Sequence, residues 1–325
     1  MTRAVPIFLV LLAFPLAMQA TDNLFYVSLA SRILIYAIAA TSLNLVLGYG
    51  GMVSFGHAAF FGAGAFTVGI LSAEGVSSLW IAWPAAVAVA ALAALAIGAV
   101  SLRTRGVYFI MITLAFAQMV YYIFVSLKAY GGEDGLPLQG RSNVGLGLSL
   151  AGDLAWYYVV LAFCAAVLYG LHRLSRSRFG RVIDAIRENE TRAEAIGFPV
   201  YRYKLACFVL SGAVAGLAGA LIANQSSYVS PSLLHWVQSG TLMIMVILGG
   251  VGTLWGGALG ALVLLALEHL IADTQVGWLE RLAPNYQDHA GLAVGLVLLA
   301  IVLLAPQGLA GIFSPSPKHP GGSRA

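Results

Sequence analysis

Residues 43–57 read LNLVLGYGGMVSFGH, and glycines at 48, 50 and 51 interrupt an apolar run that starts at residue 24. Non-helical backbone at membrane depth is tolerated only where protein or a water-filled cavity satisfies its N–H and C=O groups. Broken helices of this kind are found at transport sites. An ordinary tight turn between two closely packed helices explains the glycines equally well. The nearby polar side chains of Asn44, Ser54 and His57 favour the functional interpretation, although a packing role is the simpler one for His57 alone.

The composition of the whole chain points to a membrane protein. Of 325 residues, 60% are hydrophobic and 9% are charged, and the mean hydropathy is +0.89. Soluble domains carry about 25% charged residues. Two cysteines inside apolar runs exclude a disulfide scaffold. Because the apolar runs are longer than the roughly 10 residues of a membrane-spanning strand, we predict an all-α integral membrane protein.

Apolar runs near the length of a spanning helix, about 20 residues, occur ten times along the chain. They cover 4–20, 24–47, 53–71, 79–101, 106–127, 155–172, 204–223, 237–250, 254–272 and 289–305. The first run could be a signal peptide, since an A-x-A-like ending follows Arg3 and the apolar stretch. A retained helix is favoured, because ten spans place both termini on one side. We therefore predict a polytopic helical bundle of about ten transmembrane segments with broken glycine-rich helices. Five segments on each side of loop 128–154 suggest a possible inverted repeat.

The basic residues predict the orientation. Loop 174–203 and its flanks hold eight Lys and Arg residues, so this loop is expected in the cytoplasm. If successive spans cross the membrane in alternate directions from this loop, thirteen of the seventeen basic residues lie on the cytoplasmic side, together with the N- and C-termini. Loops 128–154 and 273–288 are then outside. This distribution explains the pI of 9.1 without a nucleic-acid partner. We expect residues 1–313 to form the permease domain and the Pro/Gly/Ser-rich tail 314–325 to be disordered.

The sequence offers no enzyme chemistry. None of the three lysines belongs to a G-x-x-x-x-G-K-[ST] phosphate loop, and the six histidines form no metal-ligand motif. Met52 stands where a nucleophile elbow around Ser54 needs glycine. We expect no catalytic residue, no metal and no cofactor. Intramembrane carboxylates are nearly absent apart from Glu268, which disfavours an ion-coupled carrier and favours a channel-like body powered by another subunit.

A second glycine-rich segment, LGGVGTLWGG at 248–257, follows an apolar run of only about 14 residues. A run this short is too short to span comfortably, so we expect a helix that ends part-way across the membrane or a strongly tilted one. A helix contact of the small-xxx-small kind through Gly252, Gly256 and Gly260 is the alternative.

The stretch 177–198 has the pattern of two short helices. Apolar residues at 179, 182, 183 and 186 follow helical spacing, and Gly197 is placed to end a second helix. Interspersed acidic residues indicate a protein-docking element, because a lipid-surface helix is more uniformly basic. A solvated loop explains the arginines but not the apolar spacing.

Several segments together resemble the LivM-type permeases of branched-chain amino acid ABC importers. NLVLGYGGMVSFGHAAFFGAGA at 44–65 is similar to the family's signature segment, and further similar blocks follow in the family's order. They are 105–115, 131–136, 179–190 and 248–256. The resemblance implies a cytoplasmic-membrane importer subunit paired with a second, homologous permease, two ATP-binding cassette ATPases and a periplasmic or surface binding protein, embedded in membrane lipid. The sequence leaves open a urea or short-amide permease and, less favoured, a stand-alone secondary carrier.

The resemblance also implies roles for individual residues. A zwitterionic substrate needs polar groups without strong net charge, and both glycine-rich breaks expose helix ends that offer partial charges. The candidate pathway residues are Asn44, Gly50, Gly51, Ser54, His57, Thr113, Gln118, Gly249 and Gly250. Loop 179–197 resembles the E-A-A-x-x-x-G coupling loop, but Thr191 stands six residues before Gly197 and Glu190 is one position early.

The candidate coupling residues of this loop are Val182, Ile183, Ile186, Arg187, Glu190, Ala193 and Gly197. We predict that Val182, Ile183 and Ile186 form an apolar stripe that inserts into a groove of the ATPase. The charged side chains of the loop are then expected at the rim of that contact.

Overall fold

The computed structural model describes residues 11–16, 18–19, 23–138, 140–143, 152–272, 290–305 and 308–313. Residues 11–16 and 18–19 are helical. The further helices are α1 Leu24–Asn44, α2 His57–Ala73, α3 Leu79–Ser101, α4 Val107–Ser126, α5 Asp153–Ser175, α6 Arg178–Glu188, α7 Glu190–Ala195, α8 Val200–Ser226, α9 Trp236–Gly249, α10 Gly256–Ala272, α11 Ala290–Leu304 and α12 Leu309–Phe313. A π-helical turn, Leu45–Tyr49, continues α1, and 3₁₀ turns cover Lys128–Tyr130 and Pro231–Leu234. Two short antiparallel strands, β1 Leu136–Pro137 and β2 Tyr228–Val229, pair with each other.

Five helices are long and apolar enough to cross a bilayer: α1 with its π turn, α3, α4, α5 and α8. Helices α2, α9 and α10 are apolar but shorter. From residue 24 onward, a helix occupies the position of each predicted apolar run. The chain is therefore a multi-pass helical membrane protein. Most of run 4–20, part of loop 128–154, loop 273–288 and tail 314–325 lie outside the described residues.

Helix α8 is the central element of the bundle and packs against α1, α2 and α3. Small residues on α8 allow this close approach. A side chain at Gly216 would meet the Ala90 side chain of α3, and one at Gly219 would lie 2.9 Å from the backbone nitrogen of Ala65 on α2. Helix packing in lipid depends on such small residues. Helix α4 is the opposite case, because only 17% of its span is buried within the chain.

Helix α8 also defines the two ends of the molecule. It begins at Val200, directly after α7, and ends at Ser226, directly before β2. The bundle therefore has an α6–α7 end and, at the far side of the spanning helices, a second end that carries β1 and β2.

Candidate functional site

The first glycine-rich segment breaks the helical backbone as predicted. Regular α-helix ends at Asn44, the π turn continues to Tyr49, and α2 begins only at His57. The amide of Gly50 donates to Leu45 O and that of Met52 to Val46 O, both over 3.0 Å. Gly51 has φ +65°, a left-handed conformation that favours glycine.

The second glycine-rich segment breaks the backbone between α9 and α10. Helix α9 has 14 residues and ends at Gly249, so it extends about 21 Å at 1.5 Å per residue, less than the roughly 30 Å hydrocarbon core. The predicted short helix is confirmed. Gly250 follows with φ +116°, and the Thr253 hydroxyl donates to Gly250 O over 2.8 Å.

The two breaks meet through the side chain of Asn44. Its Nδ2 donates to Thr253 O over 2.7 Å, and its Oδ1 accepts from Gly252 N over 2.9 Å. Asn44 itself is buried. A Cβ added to Gly48 would lie against Asn44 Oδ1 and Gly252 N, and 2.6 Å from Gly252 Cα. We call Asn44, Gly48, Gly252 and Thr253 the glycine junction, because only a glycine at position 48 allows this approach.

Arg187 connects the glycine junction to α6. Its Nη1 donates to Gly48 O over 2.6 Å, and its Nη2 lies 3.8 Å from Asp184 Oδ1. A Cβ added to Gly51 would lie 2.8 Å from Arg187 Cγ. Burial raises the pKa of the Asp184 carboxyl, Arg187 opposes this shift and Glu188 adds to it. The Arg187 side chain thus extends from the α6–α7 end onto the backbone of the first break.

The apolar stripe of α6 faces the chain itself. Ile183 and Ile186 are 2% and 3% exposed and belong to the same core as Val46 and Phe208, and Val182 packs against that core. The prediction that these side chains dock into an ATPase is therefore wrong. Periodicity indicates that a helix buries one face, but it does not show which surface covers that face.

The outward side of α6 and α7 carries charged residues, and a large apolar side chain is exposed directly after α7. Ile196, at the end of α7, is 69% exposed. The predicted helix ending at Gly197 is confirmed, since this residue has φ +98° and Phe198 N donates to Ala193 O over 3.1 Å. The predicted break between the two helices lies at Asn189, whose side chain accepts from Arg192 N over 2.9 Å.

Glu190 fastens α7 to the rest of the chain. Its carboxylate lies 2.7 Å from Lys204 Nζ on α8 and 3.3 Å from Arg105 Nη2 in the α3–α4 connection. Glu194 lies 3.8 Å from the same Arg105 nitrogen, and Ala193 is buried. Ion pairs with α8 and with the α3–α4 connection therefore hold α7 in place.

Two of the remaining polar candidates, Ser54 and Thr113, accept hydrogen bonds from the backbone of the first break. Ser54, His57 and Thr113 are fully buried. Phe55 N donates to Thr113 Oγ1 over 3.3 Å, and Gly56 N donates to Ser54 Oγ over 3.1 Å. Gln118 is half-buried on α4. In this conformation Ser54 and Thr113 fix the backbone of the first break, and the role of all four residues in lining a pathway stays a prediction.

His57 forms part of a relay of hydrogen bonds to α8. Ser211 on α8 donates its hydroxyl proton to Ser42 O, so the contact of 2.8 Å between His57 Nε2 and Ser211 Oγ has the imidazole as donor. Ala58 N donates to Ser239 Oγ over 2.8 Å. The sequence interpretation missed Ser211 and Ser239 because isolated serines in apolar helices have no distinguishing pattern.

Comparison with known proteins identifies the family. The sequence model of the family described as branched-chain amino acid transport system, permease component, matches residues 25–305. The chain belongs to this family. It is similar to the high-affinity branched-chain amino acid transport system permease protein LivM of Escherichia coli (strain K12), with 28% identity over 91% of this chain and 72% of that protein. No solved structure matches.

More distant relatives include both kinds of permease subunit. The permease protein LivH of Salmonella typhimurium is 23% identical over 85% of this chain and 91% of its own length. The probable branched-chain amino acid transport permease protein LivM of Methanocaldococcus jannaschii is 24% identical over 85% of this chain and 90% of its own length. The family confirms the resemblance seen in the sequence. The chain is a transport subunit and not an enzyme.

Proposed function

We propose that this permease imports branched-chain amino acids across a cytoplasmic membrane, driven by ATP that separate subunits hydrolyse. The single observation that carries this proposal is the glycine junction with Arg187 on its backbone. It joins both breaks of the spanning helices to the one segment, 174–203, that has the composition of a cytoplasmic docking loop. The permease names LivM and LivH among the relatives support the substrate class.

The proposed assembly has four kinds of contact. A second, homologous permease completes the membrane core, two ATP-binding cassette ATPases bind on the cytoplasmic side, and a periplasmic or surface binding protein delivers substrate on the other. Membrane lipid surrounds the core. Permease relatives of two kinds, LivM and LivH, support the paired core.

In this proposal the α6–α7 segment is the coupling loop, and it docks through its outward side. Ile196 is exposed at the tip of α7, with Arg192 and Glu194 exposed beside it. A partly apolar contact with a polar rim is the usual anatomy of a protein interface. Movement of the loop by the ATPase then displaces Arg187, and with it the backbone of the first break.

We also propose about ten transmembrane segments with both termini in the cytoplasm, a possible inverted repeat around loop 128–154, and a disordered tail at 314–325. The distribution of basic residues supports this orientation. Ala129 and Arg181 are both exposed on the protein, so labelling at these positions depends on the side of the membrane. Ala129→Cys should react with an impermeant maleimide from outside intact cells, and Arg181→Cys should not. Ser142 is unsuitable for this labelling because it is 6% exposed. Reaction of Arg181→Cys in sealed cells would contradict the proposed orientation and favour the opposite one.

Uptake into proteoliposomes tests the proposed function. The full complex, reconstituted with the binding protein and ATP, should accumulate labelled leucine, isoleucine and valine and leave labelled urea outside. Hydrolysis should be stimulated by the loaded binding protein. Accumulation of urea without leucine would assign the alternative substrate. Leucine uptake without any ATPase subunit would instead indicate a secondary carrier.

A further inference from the structure

A cavity of about 370 Å³ opens between α1 and α8 at the end of the bundle that carries β1 and β2. Its volume lies within the range of small-molecule sites, roughly 300–1,000 Å³. Its described lining holds one cation, Arg32, one amide, five side chains with hydroxyls, four apolar side chains and no acidic one. This composition favours a ligand that is anionic and partly apolar.

Arg32 is the charged group of this cavity, and its side chain is directed toward the lipid head groups. It lies eight positions after the first residue of α1, or about 12 Å along the helix axis at 1.5 Å per residue. Helical side chains tilt toward the N-terminus of their helix, and long basic side chains reach the head-group layer in this way. Among the described residues no carboxylate lies within 4.0 Å of the guanidinium, although Glu268 of α10 interacts with it electrostatically.

Three serine hydroxyls of the lining offer hydrogen-bond donors. Ser28 Oγ accepts from Gln225 Nε2 over 2.8 Å. Ser230 Oγ accepts from Ser232 N over 3.2 Å and from Ser232 Oγ over 2.8 Å. Within the described part of the chain, neither accepting hydroxyl donates to a protein group, so each hydrogen is available to a ligand. Ser226, the last residue of α8, is exposed.

The other polar side chains of the lining are already engaged within the protein. Tyr228 donates its hydroxyl to Asp134 O. Tyr36 is 6% exposed, and the centre of its ring lies 5.9 Å from the Arg32 guanidinium. The Oε1 atom of Gln225 is enclosed, so this amide positions Ser28 and does not face the ligand. The groups left for a ligand are therefore one cation and hydroxyl donors, which suit the oxygens of a phosphate.

Apolar side chains lie beside these donors. Phe25 and Leu29 of α1 face the same cavity as Ile222 of α8 and Leu233 of the 3₁₀ turn. Phe25, the second residue of α1, is 59% exposed. A free phosphate would leave these apolar side chains without a contact. A phospholipid uses both parts of the cavity, because its acyl chains follow directly after its phosphate.

We propose that this cavity binds the phosphodiester of an anionic phospholipid, with Arg32 as the cation and serine hydroxyls as further donors. A planar guanidinium binds a phosphate through two parallel hydrogen bonds, and basic pockets between spanning helices bind anionic head groups. The described lining has no carboxylate for a head-group ammonium, which favours phosphatidylglycerol over phosphatidylcholine. The site goes beyond the proposed function and does not depend on the substrate that the permease carries.

Native mass spectrometry tests this site on the full-length permease, purified with its partner subunits and released from nanodiscs of phosphatidylglycerol and phosphatidylcholine in equal parts. At a collision energy that strips most bound lipid, wild type should retain phosphatidylglycerol in preference to phosphatidylcholine. Arg32→Gln should lower the fraction of complexes that retain it about tenfold, because the charge-assisted hydrogen bonds are lost. Arg32→Lys should lower it less, since an ammonium keeps the charge but loses the planar fork.

A matched pair of variants at Ser226 keeps the test decisive if Arg32→Gln fails to assemble. Ser226→Glu adds a carboxylate to the lining and should release the lipid, whereas Ser226→Gln, of nearly the same size and without charge, should retain it. Lys128→Gln removes an exposed cation outside this cavity and should match wild type. Retention of the partner subunits checks the assembly of each variant.

The source of the anion is tested on the same preparations by competition. Neither inorganic phosphate nor leucine should displace phosphatidylglycerol from wild type. Displacement by inorganic phosphate would assign the cavity to a free anion, and displacement by leucine would assign it to a transported amino acid; either result overturns the lipid site. Wild-type retention in Arg32→Gln, equal retention in the two Ser226 variants, or equal retention of both lipids by wild type would overturn it as well.

Discussion

Asn44→Leu removes the hydrogen bonds between the two glycine-rich breaks and keeps the number and branching of the side-chain heavy atoms. The substitution deletes the donor to Thr253 O and the acceptor for Gly252 N. Interhelical hydrogen bonds in membranes contribute about 0.6 kcal/mol on average and at most about 1.7 kcal/mol each. Gly252 and Thr253 are half-buried rather than fully enclosed, so this scale applies better than the cost of fully buried unpaired groups. Two bonds give a loss of about 1–3 kcal/mol.

The matched control for Asn44→Leu is Thr41→Val in the same helix. Its hydroxyl donates to Ala37 O within α1, so its loss leaves the two breaks joined. Thermal unfolding of the purified complex, followed by tryptophan fluorescence, should show a lower midpoint for Asn44→Leu, and leucine uptake should fall with it. Thr41→Val should behave close to wild type. Wild-type stability and uptake in Asn44→Leu would refute the junction as a structural unit.

Four other substitutions test the contacts at the α6–α7 end of the bundle. Gly48→Ala should abolish uptake with the complex still assembled, because the new Cβ would lie 2.6 Å from Gly252 Cα; normal uptake would show that the breaks can separate freely. Gly51→Leu should be impaired as well, since φ is +65° and the side chain would meet Arg187, and normal expression with full activity would contradict this. Ile186→Asp should lower the yield of folded permease, since the side chain is 3% exposed, whereas Ile196→Asp should leave the fold intact and release the ATPase; the reverse order would restore the apolar stripe as the docking face.

The positions of the helices could be predicted from the sequence because a helix that crosses the lipid needs about 20 predominantly apolar residues in a row. Each described helix between 24 and 126 lies within a few residues of a predicted apolar run. The two short helices of the 177–198 stretch were predicted from apolar spacing and Gly197. These signals are local, since they depend on residues within one or two turns of one another.

The contacts between segments could not be predicted in the same way. Asn44 and Thr253 are 209 positions apart, and two glycine-rich segments have no complementary pattern that shows they meet. Arg187 was named among the candidate coupling residues, but nothing in the sequence indicated that its side chain contacts Gly48 O. The stripe of Ile183 and Ile186 was recognised, but its covering surface was assigned to a partner because α8 and the first break were not yet placed against it.

Arg187→Ala tests the central claim most directly, through the number of ATP molecules hydrolysed per leucine transported. The variant removes the hydrogen bond to Gly48 O and leaves the outward side of α7 unchanged. The reconstituted complex should retain its ATPase subunits and hydrolyse ATP in response to loaded binding protein, while leucine uptake falls at least tenfold. Arg187→Lys should recover part of the uptake, and Arg181→Ala, an exposed position on the same helix, should match wild type. A wild-type ratio of hydrolysis to transport in Arg187→Ala would contradict the account.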